Sequence, residues 1–165
     1  MRFALCNEVI ADMPFERQCV YAASLSYQGL ELAPFTVSDE PHHMTATARA
    51  AVRRAAGDAG IAISGLHWLL VKPAGLSITS ADPTVRQTTL DVLQRLIDLC
   101  AELGGQVLVH GSPAQRRLPE SGDISGARDR GREAFAAVAA WAAKAGVIYC
   151  IEALAAPAAN FINRI

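Results

Sequence analysis

Four times in 165 residues a helical pattern closes on a small residue or glycine and runs at once into a short apolar stretch. The stretches are SYQGLELA at Gly29, DAGIAIS at Gly60, ELGGQVLVH at Gly105 and KAGVIYCIE at Gly146. Glycine can end a helix by turning left-handed, and an apolar run directly after it reads as a strand buried between layers. The four junctions lie 31 to 45 residues apart, which leaves room for one helix between successive strands. This alternation predicts an α/β fold with a parallel sheet and right-handed crossovers. Five strands are expected, at about 2–8, 30–34, 62–70, 106–110 and 147–152.

The helices carry their own marks. Ala48, Ala51, Val52, Ala55, Ala56 and Ala59 recur on one face, and Val85, Val92, Leu96, Cys100 and Leu103 draw a second stripe. Asp12 with Pro14, and Asp82 with Pro83, read as helix N-caps followed by a proline of the first turn. Hydrophobic residues make up 52% of the chain and charged residues 19%, a balance that suits double-sided burial and is foreign to a disordered chain. At this length residues 1–165 form one domain. The net charge of −1, without a dense Lys/Arg run, lacks the footprint of a nucleic-acid binder, so no nucleic-acid partner is expected. Cys6, Cys19, Cys100 and Cys150 match neither a redox nor a zinc-knuckle spacing and read as buried small apolar side chains in a reducing cytoplasm. With neither a signal-peptide core nor an apolar run of about 18 residues, the expectation is a cytoplasmic protein without a membrane partner.

Loop length then points to the functional end. Helix-to-strand turns span one or two residues, while the strand-to-helix connections PFTVSDEPHHMT, VKPAGLSITSAD and GSPAQRRLPESGDISG are long. In parallel α/β folds ligands gather at the carboxyl ends of the strands, where such loops lie. Period-2 alternation puts Val147, Tyr149 and Ile151 toward the helices and Ile148, Cys150 and Glu152 on the other face. The same rule places Glu8, Glu31, His67 and His110 with Glu152, so five polar groups from five strands converge. Carboxylates and imidazoles so gathered suit a divalent metal bound through oxygen and nitrogen. Arg116 and Arg117, after the fourth strand, could hold a phosphate or sugar hydroxyls. The segments AVRRAAGD and ARDRGRE read as solvated helix faces, and His42 and His43 as an exposed loop tip.

On these residues the chain resembles the sugar isomerase and epimerase superfamily built on the xylose-isomerase-like TIM barrel, which also includes abasic-site endonucleases. The carriers are CNEVI, GLELAPFTV, SGLHWLL, LVHGSPAQRRLP and IEALAAPAANFIN on strands one to five. The resemblance covers the N-terminal half of a barrel that needs roughly 250 residues and eight strands. It implies a half barrel of (βα) repeats, truncated after the fifth strand, with a new helix starting at NFINRI. It makes Glu152 a ligand of a divalent ion (manganese, magnesium or zinc) and one of two carboxylates that move a proton between adjacent sugar carbons. The family's Asp, His and second Glu of strands six to eight have no counterpart, so metal binding by this chain is expected to be weak or absent. Relatives often carry a further Glu where this chain has Ala158. A sugar or sugar-phosphate substrate would then meet His67, His110, Glu8, Glu31 and Arg116.

Two other functions compete. His67, His110 and Glu152 also match the first ligand positions of the zinc-dependent abasic-site nucleases, against which the low basic content argues. A non-catalytic assembly fragment is the third. An open half barrel would expose the edges of its first and fifth strands and an inner face bearing Ala4, Cys6, Leu69, Leu108, Ile148 and Cys150, which predicts a homo-oligomer.

Overall fold

A computed structural model describes residues 1–164. Five strands, β1 (Ala4–Cys6), β2 (Gly29–Leu32), β3 (Ala62–His67), β4 (Val107–His110) and β5 (Ile148–Ile151), form one sheet in the order β1-β2-β3-β4-β5. Every neighbouring pair is parallel. The crossovers run through α1 (Phe15–Ser24), α2 (Ala46–Asp58), α3 (Pro83–Glu102) and α4 (Ile124–Ala145). The expected α/β architecture with a parallel sheet of five strands is therefore present. The strands are shorter than their apolar runs: β3 stops at His67 because Trp68 takes a left-handed φ of 51°, which no pleated strand accommodates.

Local chemistry accounts for most helix boundaries. Asp82 caps α3 by accepting the Thr84 amide at 2.8 Å, with Pro83 in the first helical position, as its spacing predicts. Thr45 and Asp123 do the same for α2 and α4, accepting from Ala48 and Gly126. Asp12 does not cap α1. Residues Asn7–Ile10 first form a 3-10 turn, and α1 opens at Phe15 behind Pro14. Gly146 ends α4 at φ 73°, whereas Gly29 lies inside β2 and the left-handed residue after α1 is Ser26. Residues 160–164 start no helix, and Ile165 lies outside the described residues. Here the Asn160 side chain both accepts from and donates to the Leu118 backbone, and the Phe161 ring lies over Gly131 of α4.

The core lies between one face of the sheet and the helices. Leu30, Leu32, Ile63, Leu66 and Leu108 are buried against Val92, Leu96, Ile97 and Cys100 of α3 and Val138 and Ala142 of α4. Each such aliphatic side chain contributes on the order of 1.5–3 kcal/mol by leaving water. The opposite face is open: Ala4 and Cys150 are exposed, and Ile148 is 62% exposed. Leu69 and Leu108, expected there, belong instead to the buried core. Leu108 is the register partner of Leu66 and Tyr149, so it points with them toward the helices. No helix among the described residues is long and apolar enough to cross a membrane.

Candidate functional site

Three polar side chains share the open face at the carboxyl ends of adjacent strands. Cys6 and Glu31 are register partners across β1 and β2, and His67 closes β3. The Cys6 thiol donates to Glu31 Oε2 at 3.3 Å. The same Oε2 lies 3.6 Å from His67 Nδ1, while Glu8 Oε2 lies 2.8 Å from His67 Nε2. That last approach is out of line for a hydrogen bond, so both ring nitrogens and Glu8 Oε2 are shielded from water without a hydrogen-bond partner among the described residues. Desolvation first, then the bond to Glu31 and the Glu31 and Glu8 charges, push the Cys6 thiol up to about 12.

Glu8 is brought here by a clamp that the sequence did not signal. Buried Asn7 donates to Gln18 Oε1 at 3.0 Å and Thr36 Oγ1 at 2.7 Å, and its Oδ1 accepts the Ala33 amide at 2.8 Å. One side chain thus ties the ends of β1 and β2 to α1. A fully enclosed Asn with every contact satisfied is structural, and its partners lie too far apart in sequence to be read from spacing.

Glu152 follows β5 directly. Its amide donates to the His110 carbonyl at 3.2 Å, and its own carbonyl accepts from Arg116 Nη1 at 2.7 Å. The carboxylate lies over Gly111, where a Cβ would fall 2.2 Å from Oε2, and it accepts no hydrogen bond among the described residues. With His67, Trp68, Pro113 and Leu154 it lines a cavity of about 310 Å³. Trp68 is the residue that sequence reasoning passed over. It is 44% exposed, strained in φ, and meets Phe35 edge to face at 5.6 Å. An exposed aromatic immediately after a strand histidine was the available signal, and backbone strain of this kind concentrates at ligand sites.

His110 and Arg116 do not share this cavity. His110 has the parity of Leu108 and faces the helices, fully buried, with Nδ1 2.6 Å from the Tyr149 hydroxyl and its ring edge-on to Phe135 of α4. Desolvation, with Arg116 adding to it, drives its imidazole down to about 3. Burial pushes the Tyr149 phenol up, so it keeps its proton beside the neutral imidazole. The alternation rule misplaced His110 because β4 has apolar residues on both faces, leaving no polarity contrast to fix its phase. Arg116, expected at substrate, is fully buried in the 3-10 turn Ala114–Arg116 and grips backbone. His43 is exposed, as a loop-tip residue is expected to be, and its Nδ1 lies 2.9 Å from Arg95 Nη1 of α3.

No curated protein sequence matches the chain. Its fold is similar to D-psicose 3-epimerase solved in the presence of D-fructose, with TM-score 0.75 and 20% identity over 100% of this chain and 55% of that one. It is similar to D-psicose 3-epimerase with D-tagatose from Clostridium cellulolyticum H10, with TM-score 0.72 and 20% identity over 92% of this chain and 50% of that one. A third is L-ribulose 3-epimerase, with TM-score 0.63 and 22% identity over 85% and 44% of the two chains. The chain thus spans about half the length of these barrels. A family profile described as xylose isomerase-like TIM barrel matches residues 19–165. With five parallel strands in barrel order and its polar residues at their carboxyl ends, the chain belongs to the xylose isomerase-like TIM barrel family.

Proposed function

We propose that the chain carries part of a sugar isomerase or epimerase site that takes a ketose or its phosphate. The observation that supports this most is the unpartnered Glu152 carboxylate facing the same 310 Å³ cavity as His67 and Trp68. Trp68 offers an aromatic wall for the apolar side of a sugar, and Glu152 is the base that takes or returns a proton on the carbon beside the carbonyl. The grip of Arg116 and His110 on its backbone holds the carboxylate at the strand end while leaving both oxygens free. An unpaired carboxylate oxygen aimed into a cavity also fits one position of a divalent-ion shell; such an ion, when bound, polarises the substrate carbonyl.

Glu152 is a single carboxylate, and the chemistry needs a base on each face of the substrate. We therefore propose that these 165 residues by themselves bind sugar without turning it over. The nuclease reading would require His67, His110 and Glu152 to converge, and the imidazole of His110 faces the helices. The assembly reading is compatible with the sugar site, because the open face around Ile148 and Cys150 is free to meet another chain.

The test uses Trp68 as reporter in a Trp141→Phe background. Titration with D-fructose or D-tagatose is expected to change the emission, with affinity weakened by Glu152→Gln. An unresponsive Trp68 at saturating sugar would refute the site. A manganese-supplemented ketose 3-epimerisation assay is expected to show no turnover. Turnover that vanishes in Glu152→Gln would keep the sugar reading and overturn the incompleteness.

A further inference from the structure

We propose that Cys6, Glu31 and His67 form a tetrahedral transition-metal site, with zinc as its natural occupant and Glu8 as the group that orients His67. This site is separate from Glu152 and does not rest on the sugar reading. Its ligand atoms, Cys6 Sγ, a Glu31 oxygen and a His67 ring nitrogen, all lie within 4.8 Å of one another. Two of the distances bear on the geometry directly. Zinc bonds of about 2.3 Å to sulfur and about 2.0–2.1 Å to nitrogen or oxygen set tetrahedral edges of roughly 3.3–3.6 Å. The Sγ to Oε2 separation is 3.3 Å and the Oε2 to Nδ1 separation is 3.6 Å.

Backbone geometry makes these positions persistent. The three residues come from three consecutive parallel strands and share the open face, so the sheet holds their Cα atoms in place. Glu8 Oε2 stands 2.8 Å from the other ring nitrogen, Nε2, out of line for a hydrogen bond as the ring now lies. A carboxylate on the far nitrogen fixes the tautomer with Nε2–H and leaves Nδ1 free to ligate, an arrangement that recurs around metal-bound histidines. A ring rotation that brought Nε2–H into line with Glu8 while Nδ1 held the ion would give partners to the two ring nitrogens and Glu8 Oε2, which have none now among the described residues. Coordination displaces the proton that Cys6 donates to Glu31, and that proton leaves to solvent.

The donor set selects the ion. One thiolate and one imidazole suit zinc or cobalt, whereas magnesium and calcium require oxygen ligands. Three protein ligands leave a fourth position, and His67 also lines the cavity that holds Glu152, so an exchangeable ligand there faces the same space.

Cobalt(II) is the probe. The purified chain, stripped of metal under reducing conditions, is expected to bind one equivalent with a thiolate charge-transfer band in the near ultraviolet and intense tetrahedral ligand-field bands, all bleached by zinc. Cys6→Ser should remove the charge-transfer band. Glu31→Gln and His67→Asn should each weaken zinc binding by well over about tenfold, and Glu8→Gln by about 10–100-fold, as for other groups behind a ligand. Cys150→Ser should leave the spectrum unchanged, with circular dichroism confirming the fold of each variant. Absence of the charge-transfer band, its survival in Cys6→Ser, or its loss in Cys150→Ser would each overturn the site. A chain that binds cobalt in this way but leaves Trp68 unresponsive to ketoses would refute the sugar reading alone.

Discussion

Arg116 Nη1 donates to the main-chain carbonyl of Glu152 at 2.7 Å, from a guanidinium wholly shielded from solvent. A loop residue after β4 thereby fixes the end of β5, and with it the carboxylate that faces the cavity. Its Nε and Nη2 have no hydrogen-bond partner among the described residues, so one strong bond stands against the desolvation of the cation.

This balance separates two substitutions. Arg116→Ala loses the charge-assisted bond and leaves a cavity, and should lower stability by about 2–4 kcal/mol. Arg116→Met keeps the volume and removes the unpaired donors, so its loss should stay below about 1.5 kcal/mol. Urea unfolding monitored by circular dichroism measures both. Equal losses would show that the buried charge carries no penalty of its own.

Two glycines should respond in opposite ways. A Cβ on Gly65 would lie 2.0 Å from the Val107 carbonyl oxygen, a backbone atom of the neighbouring strand. Gly65→Ala must push β3 from β4 and is expected to cost more than about 3 kcal/mol or to abolish folding. A Cβ on Gly111 meets only the tip of the Glu152 side chain, which can swing away. Gly111→Ala should therefore stay within about 1 kcal/mol of the parent in stability while weakening ketose binding. A Gly111→Ala chain as unstable as Gly65→Ala would contradict this placement of Glu152.

His110 should make stability depend on pH. Its folded value is depressed from 6.5 to about 3 by burial, so the unfolded chain takes up a proton that the folded chain refuses. The stability tied to the neutral imidazole is fully present above pH 6.5 and falls as pH drops toward about 3. Over that window the parent should lose about 1 kcal/mol per pH unit more than His110→Gln. Parallel stability curves for the two would show that His110 takes up its proton in the fold at the same pH as in the unfolded chain.

The open face should drive association. Ile148 is 62% exposed beside exposed Cys150 and Ala4, and β1 and β5 each present an unpaired edge. Such edges and apolar surface favour pairing between chains. Light scattering should report a dimer or larger species that Ile148→Lys shifts toward monomer. Two copies bring ten strands in all, so they cannot simply reproduce an eight-strand closed barrel. A monomer that persists at high concentration would count against the association.

The sequence by itself determined the architecture. Helix stripes, the Asp82 and Pro83 start, and apolar runs directly after the helix ends are local signals, and a parallel sheet is what such alternation must form. It also placed His67 and Glu152 at strand ends, because a polar residue closing an apolar run is visible without a partner. Only the tertiary structure decided which face each side chain takes. His110 turned to the helices and Arg116 turned inward, since a strand with apolar residues on both faces has no contrast to set its phase, and a loop cation finds its acceptor 36 residues away. Cys6 became part of the site for the same reason. A scattered cysteine says nothing of its neighbours until strand register brings it opposite Glu31 and within reach of His67, and register depends on pairing between segments distant in the chain.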